Sequence, residues 1–324
     1  MVQKISLNER EQIFKLLSKK EPIIKIASEL SRNRSSIYRE LKRLPQNAYS
    51  PSAAHALAFT KAKNSKKKEK LQNKELRDYV VQKIKAFWSP EQISHRLPLD
   101  YKNNLSMRIS HEAIYQFIYR LKDSHKKEEL IQCLRRRKKK RRSRKKKKNR
   151  RTNIPNLTSI WKRPKEAEDR KELGHWEGDL IIGKDHATAI GTLVERRLRY
   201  TLIVPLFKNK FSVTTVVNFA KAFEALPKSL IKSLTYDRGS EMSWHEVLSK
   251  MTGIKVYFAD PHSPWQRGTN ENTNGLIRQF FPKGTDFSKY TVEDLQRVQD
   301  LLNNRPRKVL RFMTPREKLI SLIK

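Results

Sequence analysis

The distribution of glycine constrains this chain more than any other feature of its sequence. All 9 glycines lie at or after Gly174, so the 173 residues before it contain none. Glycine adopts positive φ angles without steric cost, so a long stretch without it suits helices and disfavours many tight turns. The region after Gly174 has its glycines between β-rich apolar runs. We therefore expect a helical half followed by an α/β half.

The electric charge is divided in the same way. The 324 residues carry a net charge of +39, of which the glycine-free part holds +30 and the remainder +9. A charge of this size indicates a polyanionic partner, and nucleic acid is the commonest one. The sequence thus favours a chain whose binding charge is concentrated in its first half.

Cysteine content and hydropathy exclude several other classes. The single cysteine, Cys133, excludes a disulfide framework and a cysteine-based zinc cluster, and it fits a reducing cytosol. The first residues carry charges where a signal peptide needs an apolar stretch, and the sequence has no apolar run of 18 residues. We therefore expect a cytoplasmic protein that does not cross a membrane.

A dense basic tract separates the two halves. In residues 135–151, 15 of the 17 positions are Lys or Arg. Such a segment repels itself and buries no apolar surface, so it should be extended until it meets phosphate. We predict phosphate contact that does not depend on DNA sequence. A solvated linker and a nuclear-targeting signal are the alternative interpretations.

Three short helices are predicted near the amino terminus. Asn8 with Glu11 indicates the start of the first helix, and Pro22 fits the first turn of the second. A third helix follows a short turn, with Ser35 or Ser36 as its cap. The spacing is that of a helix-turn-helix unit.

The third of these helices is the candidate recognition helix for the DNA major groove. The turn before it has no glycine, so Asn33 is expected to take any left-handed conformation. A helical bundle without a DNA role is the alternative. The residues expected to contact DNA are Arg34, Ser35, Ser36, Tyr38 and Arg39.

A weaker copy of the pattern occupies residues 88–121. Ser89 followed by proline predicts one helix start, and Ser110 predicts another. His111 and Tyr115 would then face outward as DNA contacts. The loop between the helices is long for this motif, so packing within a core is an alternative account.

The α/β half predicts an antiparallel meander of three strands, then helix, strand, helix and strand. That element order is typical of a ribonuclease-H-like fold. Serine and glutamate three residues apart, at Ser243 and Glu246, indicate a capping box for the second helix. The predicted ranges are 174–183, 187–197 and 199–206 for the meander, then 212–226, 232–237, a helix ending near 251, and 254–259.

Three acids fall at informative places on this frame. Asp179 lies within the first strand, where an aspartate is poorly suited unless its side chain has a task. Asp237 ends the fourth strand, and Glu271 lies near the start of a later helix. Each acid alone has an ordinary reading as a loop, turn or surface residue. Their order on the frame favours one shared cleft.

Three carboxylates in one cleft need a cation. They repel one another, so one or more would be protonated in its absence. Mg²⁺ takes oxygen ligands and keeps water or phosphate in its shell, and two ions about 3.5–4 Å apart can serve phosphodiester chemistry. We therefore expect Asp179, Asp237 and Glu271 to bind two Mg²⁺ ions, which Mn²⁺ can replace.

Motifs along nearly the whole chain resemble the IS30 family of bacterial insertion-sequence transposases, which are enzymes of the Asp-Asp-Glu class. The third-acid segment is the most specific of them. The motifs are IASELSRNRSSIYRELKR, WSPEQISHRL, SHEAIYQFIY, GHWEGDLIIG, LTYDRGSEM, HSPWQRGTNENTNGLIRQFFPKGTDF and LNNRPRKVLRFMTPREKL.

The resemblance implies a catalytic and a binding role for named residues. Asp179, Asp237 and Glu271 would be the catalytic residues that hold the metals. Arg278, two helical turns beyond Glu271, matches the basic residue that such transposases keep there. Cleavage at the terminal inverted repeats would expose a 3′-hydroxyl that attacks target DNA, with no covalent protein intermediate. The protein would act in the bacterial cytoplasm, associated with the nucleoid.

We predict an α/β ribonuclease-H-like catalytic core of the integrase and transposase type, preceded by all-α helix-turn-helix units. Two helices are expected after Gly284, the first opened by Thr291 with Asp294, and residues 305–308 would extend the DNA-facing surface or stabilise the tail. The predicted divisions are a helix-turn-helix unit at 1–45, a basic helical linker at 46–84, a second helix-turn-helix-like unit at 85–131, a highly basic linker at 132–165, the catalytic core at 170–284 and a helical tail at 285–324.

The partners expected are double-stranded DNA, as inverted repeats and target, and further copies of the chain. Because transposition handles two ends, we expect at least a dimer on DNA. Two other classes remain open from the sequence. One is a transposase-derived DNA-binding regulator without catalysis. The other is a packing protein for RNA or chromatin, which leaves the α/β half without a purpose.

Overall fold

The structure, a computed structural model, describes residues 5–44, 49–64, 70–135, 154–207 and 212–323. The chain divides into two compact units, Met1–Gln72 and Asn73–Lys324. All of the basic tract except Arg135 lies outside the described residues, as do residues 65–69 of the lysine-rich segment. Within the described ranges, no helix is long and apolar enough to cross a membrane.

Among the described residues of the first unit there are four α-helices, and the first three have the predicted order. Buried Ile13, Ile26, Ala27 and Ile37 form their shared core. The helices are α1 (Leu7–Ser18), α2 (Ile23–Glu29), α3 (Arg34–Leu41) and α4 (Pro51–Asn64).

The start of α1 differs from the prediction. Ser6 is the cap, because its Oγ accepts from the Glu9 N–H at 3.2 Å while the Glu9 carboxylate accepts from the Ser6 N–H at 2.7 Å. Arg32 also donates to Glu9, at 2.9 Å. The prediction that Asn8 and Glu11 open the helix was wrong, since the reciprocal pair lies two residues earlier.

The turn into α3 also corrects two predictions. Asn33 is the cap of α3, and its side chain accepts from the Ser35 N–H at 2.9 Å. The prediction that Ser35 or Ser36 caps this helix was wrong. The left-handed residue is Ser31, with φ 49°. The Arg32 N–H bonds to the Ala27 carbonyl, a helix ending that places the residue before it in this conformation.

The second unit begins with four helices. Ser89 caps one, with Pro90 at its first position, and Ser110 caps another, as predicted. The two helices are in contact, and each buries two apolar residues, Ile93 and Leu97 on one and Ile114 and Ile118 on the other. The four are α5 (Lys74–Lys85), α6 (Pro90–Asp100), α7 (His111–Arg120) and α8 (Ser124–Gln132).

A five-stranded sheet follows the short helix α9 (Lys165–Glu168). Its order is β3-β2-β1-β4-β5, with β1, β2 and β3 antiparallel and β4 and β5 parallel to β1. This is the topology of a ribonuclease-H-like core, which confirms the predicted fold. The strands are β1 (His175–Ile182), β2 (Ala189–Glu195), β3 (Thr201–Leu206), β4 (Ser233–Tyr236) and β5 (Lys255–Phe258).

Helices cover both faces of the sheet, so side chains of β1 are buried on both sides. Trp176 of β1 belongs to the apolar cluster that includes α10 (Ser212–Glu224) and α11 (His245–Thr252). Ile181 belongs to the opposite cluster, with α12 (Gly268–Ile277) and α13 (Val292–Asn303). Since strand side chains alternate, Glu177 and Asp179 share the face of Ile181. The acids of β1 therefore lie under α12.

The capping box predicted for α11 is wrong. The helix begins at His245, and Trp244 occupies the cap position without a side-chain hydrogen bond. Residues Ser240–Met242 form a 3₁₀ turn that buries Met242, so Ser243 closes that turn and does not open the helix.

The carboxyl-terminal region packs on the core. Thr291 and Asp294 form the predicted capping box of α13, and α14 (Pro315–Ile323) is the second predicted helix. Asn303 accepts from the Thr201 N–H at 2.8 Å and donates to its carbonyl at 2.8 Å, which holds α13 along β3. Residues 305–308 were predicted to extend the DNA-facing surface or to stabilise the tail, and the structure buries Arg305 and Arg307 below the outer surface.

Candidate active site

Strand pairing explains how two of the predicted acids meet. In the parallel pair β1 and β4, His175 lies opposite Ser233 and Glu177 lies opposite Thr235. Two residues further along the same register are Asp179 and Asp237, the latter directly after the last residue of β4. The two aspartates are therefore neighbours at one end of the central strands.

One arginine joins the two aspartates. Arg267 ends the 3₁₀ turn Pro264–Arg267 before α12, and its guanidinium lies 3.0 Å from Asp237 Oδ2 and 3.5 Å from Asp179 Oδ1. It also donates to the Gly178 carbonyl at 3.1 Å. Burial opposes its charge, but the two acids raise the pKa of Arg267 above its usual value. The aspartates therefore surround a place that favours a cation.

Asp179 is held in one orientation by two further donors. The Asn274 side chain donates to its Oδ2 at 2.9 Å, and the Leu180 N–H donates to its Oδ1 at 2.9 Å. Burial raises the pKa of Asp179, against the attraction of Arg267. Sequence reasoning missed Asn274, although its place three residues after Glu271 puts both on the same side of α12.

A buried polar network fixes α12 on the sheet. The carboxylate of Glu177 accepts from the Asn270 N–H at 2.9 Å, and the Asn270 side chain donates to the Glu177 carbonyl at 2.8 Å. Thr192 of β2 donates to both Asn270 and Asn274, at 3.1 and 3.0 Å. Arg196 lies 3.5 Å from Glu177, and both side chains are buried. The register of the helix that carries Glu271 is thus set by buried hydrogen bonds.

Glu271 itself does not join the two aspartates in this structure. It lies in the first turn of α12, and its side chain is exposed. Among the residues that the structure describes, no group of three His, Cys, Asp or Glu side chains is close enough to hold a metal ion. The structure brings Asp179 and Asp237 together and leaves the third predicted acid outside the pair.

Glu241 is a further acid near the pair, and the sequence reasoning missed it. It lies in the 3₁₀ turn that follows Asp237, whose Oδ1 accepts from the Gly239 N–H at 3.1 Å. Burial, together with the charges of Asp237 and Asp179, raises the pKa of Glu241 to about 7. Its position in the motif DRGSE, four residues after Asp237, was the available signal.

This raised pKa predicts a pH dependence of stability. Folded Glu241 binds its proton more tightly than the unfolded chain does, so its contribution to stability falls as pH rises from about 4.5 to about 7. Glu241→Gln should therefore gain stability relative to the wild type over this interval, by about 1–3 kcal/mol. Urea unfolding at pH 5 and pH 8 in EDTA measures the difference, with exposed Glu246→Gln as the control. If the free energy of unfolding changed with pH by the same amount in the wild type and in Glu241→Gln, the raised pKa of Glu241 would be wrong.

The donor set suits a hard divalent cation. Asp179 and Asp237 offer carboxylate oxygens around one cationic group, and oxygen ligands are those that Mg²⁺ prefers. Two carboxylates plus water or phosphate make an ordinary Mg²⁺ site. A third carboxylate would come from Glu271 or Glu241.

The predicted recognition helix presents most of its residues to solvent. Arg34, Ser35, Tyr38 and Arg39 are exposed, and Ser36 is half-buried. On α7, His111 is exposed, and half-buried Tyr115 stacks on Tyr119 with ring centroids 6.5 Å apart. DNA contact by these residues stays a prediction.

Arg278 donates hydrogen bonds to backbone carbonyls of the core. Its guanidinium donates to the Ile182 carbonyl at 2.8 Å and to the Pro282 carbonyl at 3.2 Å, and the side chain is half-buried. It therefore ties the end of β1 to the loop after α12. Its predicted DNA contact stays a prediction.

A helix-turn-helix unit joined to a ribonuclease-H-like core defines the class of transposases and integrases. Residues 2–44 match the family model of a helix-turn-helix domain. The chain is 45% identical over 322 residues to "Transposase InsI for insertion sequence element IS30A" of Escherichia coli (strain K12), covering 97% of this chain and 82% of that protein. The chain belongs to the IS30 family of transposases.

Another transposase is similar over most of the chain, and a solved integrase domain over less than half of it. "Transposase for insertion sequence element IS1086" of Cupriavidus metallidurans is 40% identical, over 92% of this chain and 88% of that protein. Among solved structures, the catalytic core domain of BIV integrase matches at 18% identity with a TM-score of 0.36, over 46% of this chain and 95% of that domain.

Proposed function

We propose that this chain is a DNA transposase that binds the terminal inverted repeats of its own insertion sequence, cleaves strands there in a metal-dependent reaction and transfers them into target DNA. The observation that carries the proposal is the pair of carboxylates Asp179 and Asp237. They lie at the ends of neighbouring parallel strands, on either side of the Arg267 guanidinium. The membership of the IS30 family supports the same reaction.

Asp179, Asp237 and Glu271 would hold two Mg²⁺ ions, replaceable by Mn²⁺, which when bound activate an attacking oxygen and stabilise a leaving one. The rest of the site positions these acids. Asn274 and the Leu180 N–H fix the carboxylate of Asp179, and the Gly239 N–H fixes that of Asp237. Preorganised ligands need no rearrangement during the reaction, which favours catalysis.

The reaction exchanges phosphodiester bonds. In hydrolysis at the element end, the oxygen of water forms a P–O bond while the P–O bond to the 3′ oxygen breaks, which leaves a 5′-phosphate and a 3′-hydroxyl. That hydroxyl then attacks a target phosphodiester, forming one P–O bond while another breaks, so the number of phosphodiester bonds is conserved in this second step. No covalent bond to the protein is needed. Exposed residues of α3 and α7 would bind double-stranded DNA, and a dimer or larger oligomer on DNA would hold both ends.

A strand-transfer assay tests the proposal. Full-length protein is incubated with duplexes carrying the inverted repeats that flank the gene, and with plasmid target, in Mg²⁺, Mn²⁺ or EDTA. We expect nicked ends and joined products with either metal and none in EDTA. Binding to the ends without metal-dependent cleavage would overturn the proposal and favour a DNA-binding regulator derived from a transposase.

A further inference from the structure

A cavity lined by cationic side chains lies on the flank of α12 opposite the aspartate pair. A cavity of about 420 Å³ opens between the start of α6, the first turns of α12 and the segment that joins α13 to α14. Glu91 is the only carboxylate among the described residues that line it, and it already pairs with Lys308 at 2.9 Å. The cationic residues that line it are Arg135, Arg170, Arg199, Arg305, Arg307 and Lys308.

Two of these arginines are buried without a counter-charge. Arg305 is 3% exposed and Arg307 8% exposed, and within the described part of the chain neither forms a salt bridge. Arg305 donates only to neutral oxygens of Gln92, at 3.0 Å, and Gln279, at 3.3 Å. Arg307 donates to the Leu302 carbonyl at 3.1 Å, and its Nε has no hydrogen-bond partner among the described residues.

The electrostatics of the cavity are unfavourable without an anion. Burial, then the nearby arginines, lowers the pKa of Arg305 to about 10 and that of Arg307 to about 9. Both therefore remain charged at neutral pH. Buried charges of one sign cost free energy unless an opposite charge is supplied. An arginine fork fits phosphate oxygens in particular.

Neutral polar groups complete the cavity. Thr269 and Asn272 of α12 line it, and they accept hydrogen bonds from Arg199 and, at 3.0 Å, from Arg135. Arg135 and Lys308 are exposed, and Arg135 is the first residue of the basic tract. One phosphate of a long polyanion therefore suits the cavity, with exposed Arg135 at its edge.

We propose that this cavity binds a backbone phosphate of the duplex DNA on which the protein acts. The inference rests on the proposed function, since it assigns part of the DNA path of that reaction. A phosphate seated there would lie against the same helix that carries Glu271, on the flank opposite Asn274. It would fix DNA beside the catalytic core without contacting a base.

The first test measures protection by inorganic phosphate. Thermal unfolding of the full chain is recorded in EDTA, in sodium phosphate and in sodium chloride at equal ionic strength. Phosphate stabilises many proteins, so the deciding quantity is the difference between variants. We compare the rise in melting temperature from chloride to phosphate. This rise should be larger by about 3 °C or more in the wild type and in exposed Arg297→Gln than in Arg307→Gln. Equal gains for all three proteins would overturn the proposal.

The second test uses a random-sequence 30-base-pair duplex in EDTA. The slope of log affinity against log salt should become shallower by about 0.9 in Arg307→Gln and in Arg135→Gln. Arg135 is exposed, so its substitution should not affect folding. Arg297→Gln should keep the wild-type slope. Phosphate protection with unchanged DNA slopes would show a site for a free anion and would overturn the proposal.

These tests are separable from the proposed function. Neither assay contains a divalent metal or requires strand cleavage. A protein that joins strands normally but shows no cavity effect would overturn only this inference. A protein with both cavity effects but no strand transfer would overturn only the proposed function.

Discussion

Asp179→Asn in the full-length chain should lose strand cleavage and strand transfer by at least about 10³-fold, while its affinity for DNA ends stays nearly unchanged. The substitution removes the negative charge that a divalent cation needs but keeps the shape of the side chain. The amide oxygen of the variant can still accept from the Leu180 N–H, so the strand should remain in place. Gel-based cleavage and joining assays in Mg²⁺ and in Mn²⁺ measure the loss.

Asp185→Asn is the matched control for this variant. It removes the same charge from an exposed residue beyond the end of β1, at φ 49°, where asparagine is well tolerated. Its activity should equal that of the wild type. If Asp179→Asn joined strands at the control's rate with either metal, Asp179 could not be a metal ligand.

The same assay identifies the third carboxylate. We expect Glu271→Gln to match the loss of Asp179→Asn despite the exposed position of Glu271, because a bound cation and DNA would favour its approach to the pair. Glu241→Gln should retain activity within about tenfold of the wild type. The reverse pattern would assign the third ligand to Glu241 and would remove Glu271 from the site.

Glu177→Ala should lower the stability of the second unit by about 3–5 kcal/mol. The substitution leaves Arg196 buried without its acid and removes the acceptor of the Asn270 N–H. Urea unfolding followed by tryptophan fluorescence measures the change. All five tryptophans lie in the unit Asn73–Lys324, so the signal reports that unit alone.

A double variant separates charge from packing. Glu177→Ala with Arg196→Met should recover a large part of the lost stability, because no unpaired buried charge remains. Glu129→Ala, whose exposed side chain pairs with exposed Lys85, should change stability by less than about 0.5 kcal/mol. Equal losses in the single and double variants would show that the ion pair is not the cause.

Patterns local in sequence predicted much of the fold. Ser89 and Ser110 cap their helices as expected, because a cap is set by residues three positions apart. The order of elements along the α/β half followed from short β-prone runs separated by turns. Errors arose at other helix starts. The cap of α1 is Ser6, which pairs reciprocally with Glu9, and not Asn8 two residues later.

The candidate site divides in the same way. Asp179 and Asp237 were predicted from their places on neighbouring strands. Only its spacing from Glu271 pointed to Asn274, and no local pattern pointed to Arg267 or to the paired Glu177 and Arg196. The roles of these residues depend on contacts between residues far apart in the chain. Arg305 and Arg307 illustrate the limit, since their charge suggested an exposed surface and packing buried both.

Composition and short-range periodicity predicted the charge division, the glycine-free helical half, the ribonuclease-H-like element order and the acids suited to metal chemistry. Tertiary contacts set which acids meet, which side chains hold them, and which arginines share one cavity. Burial and hydrogen bonding between distant segments fix distances that spacing along the chain does not contain.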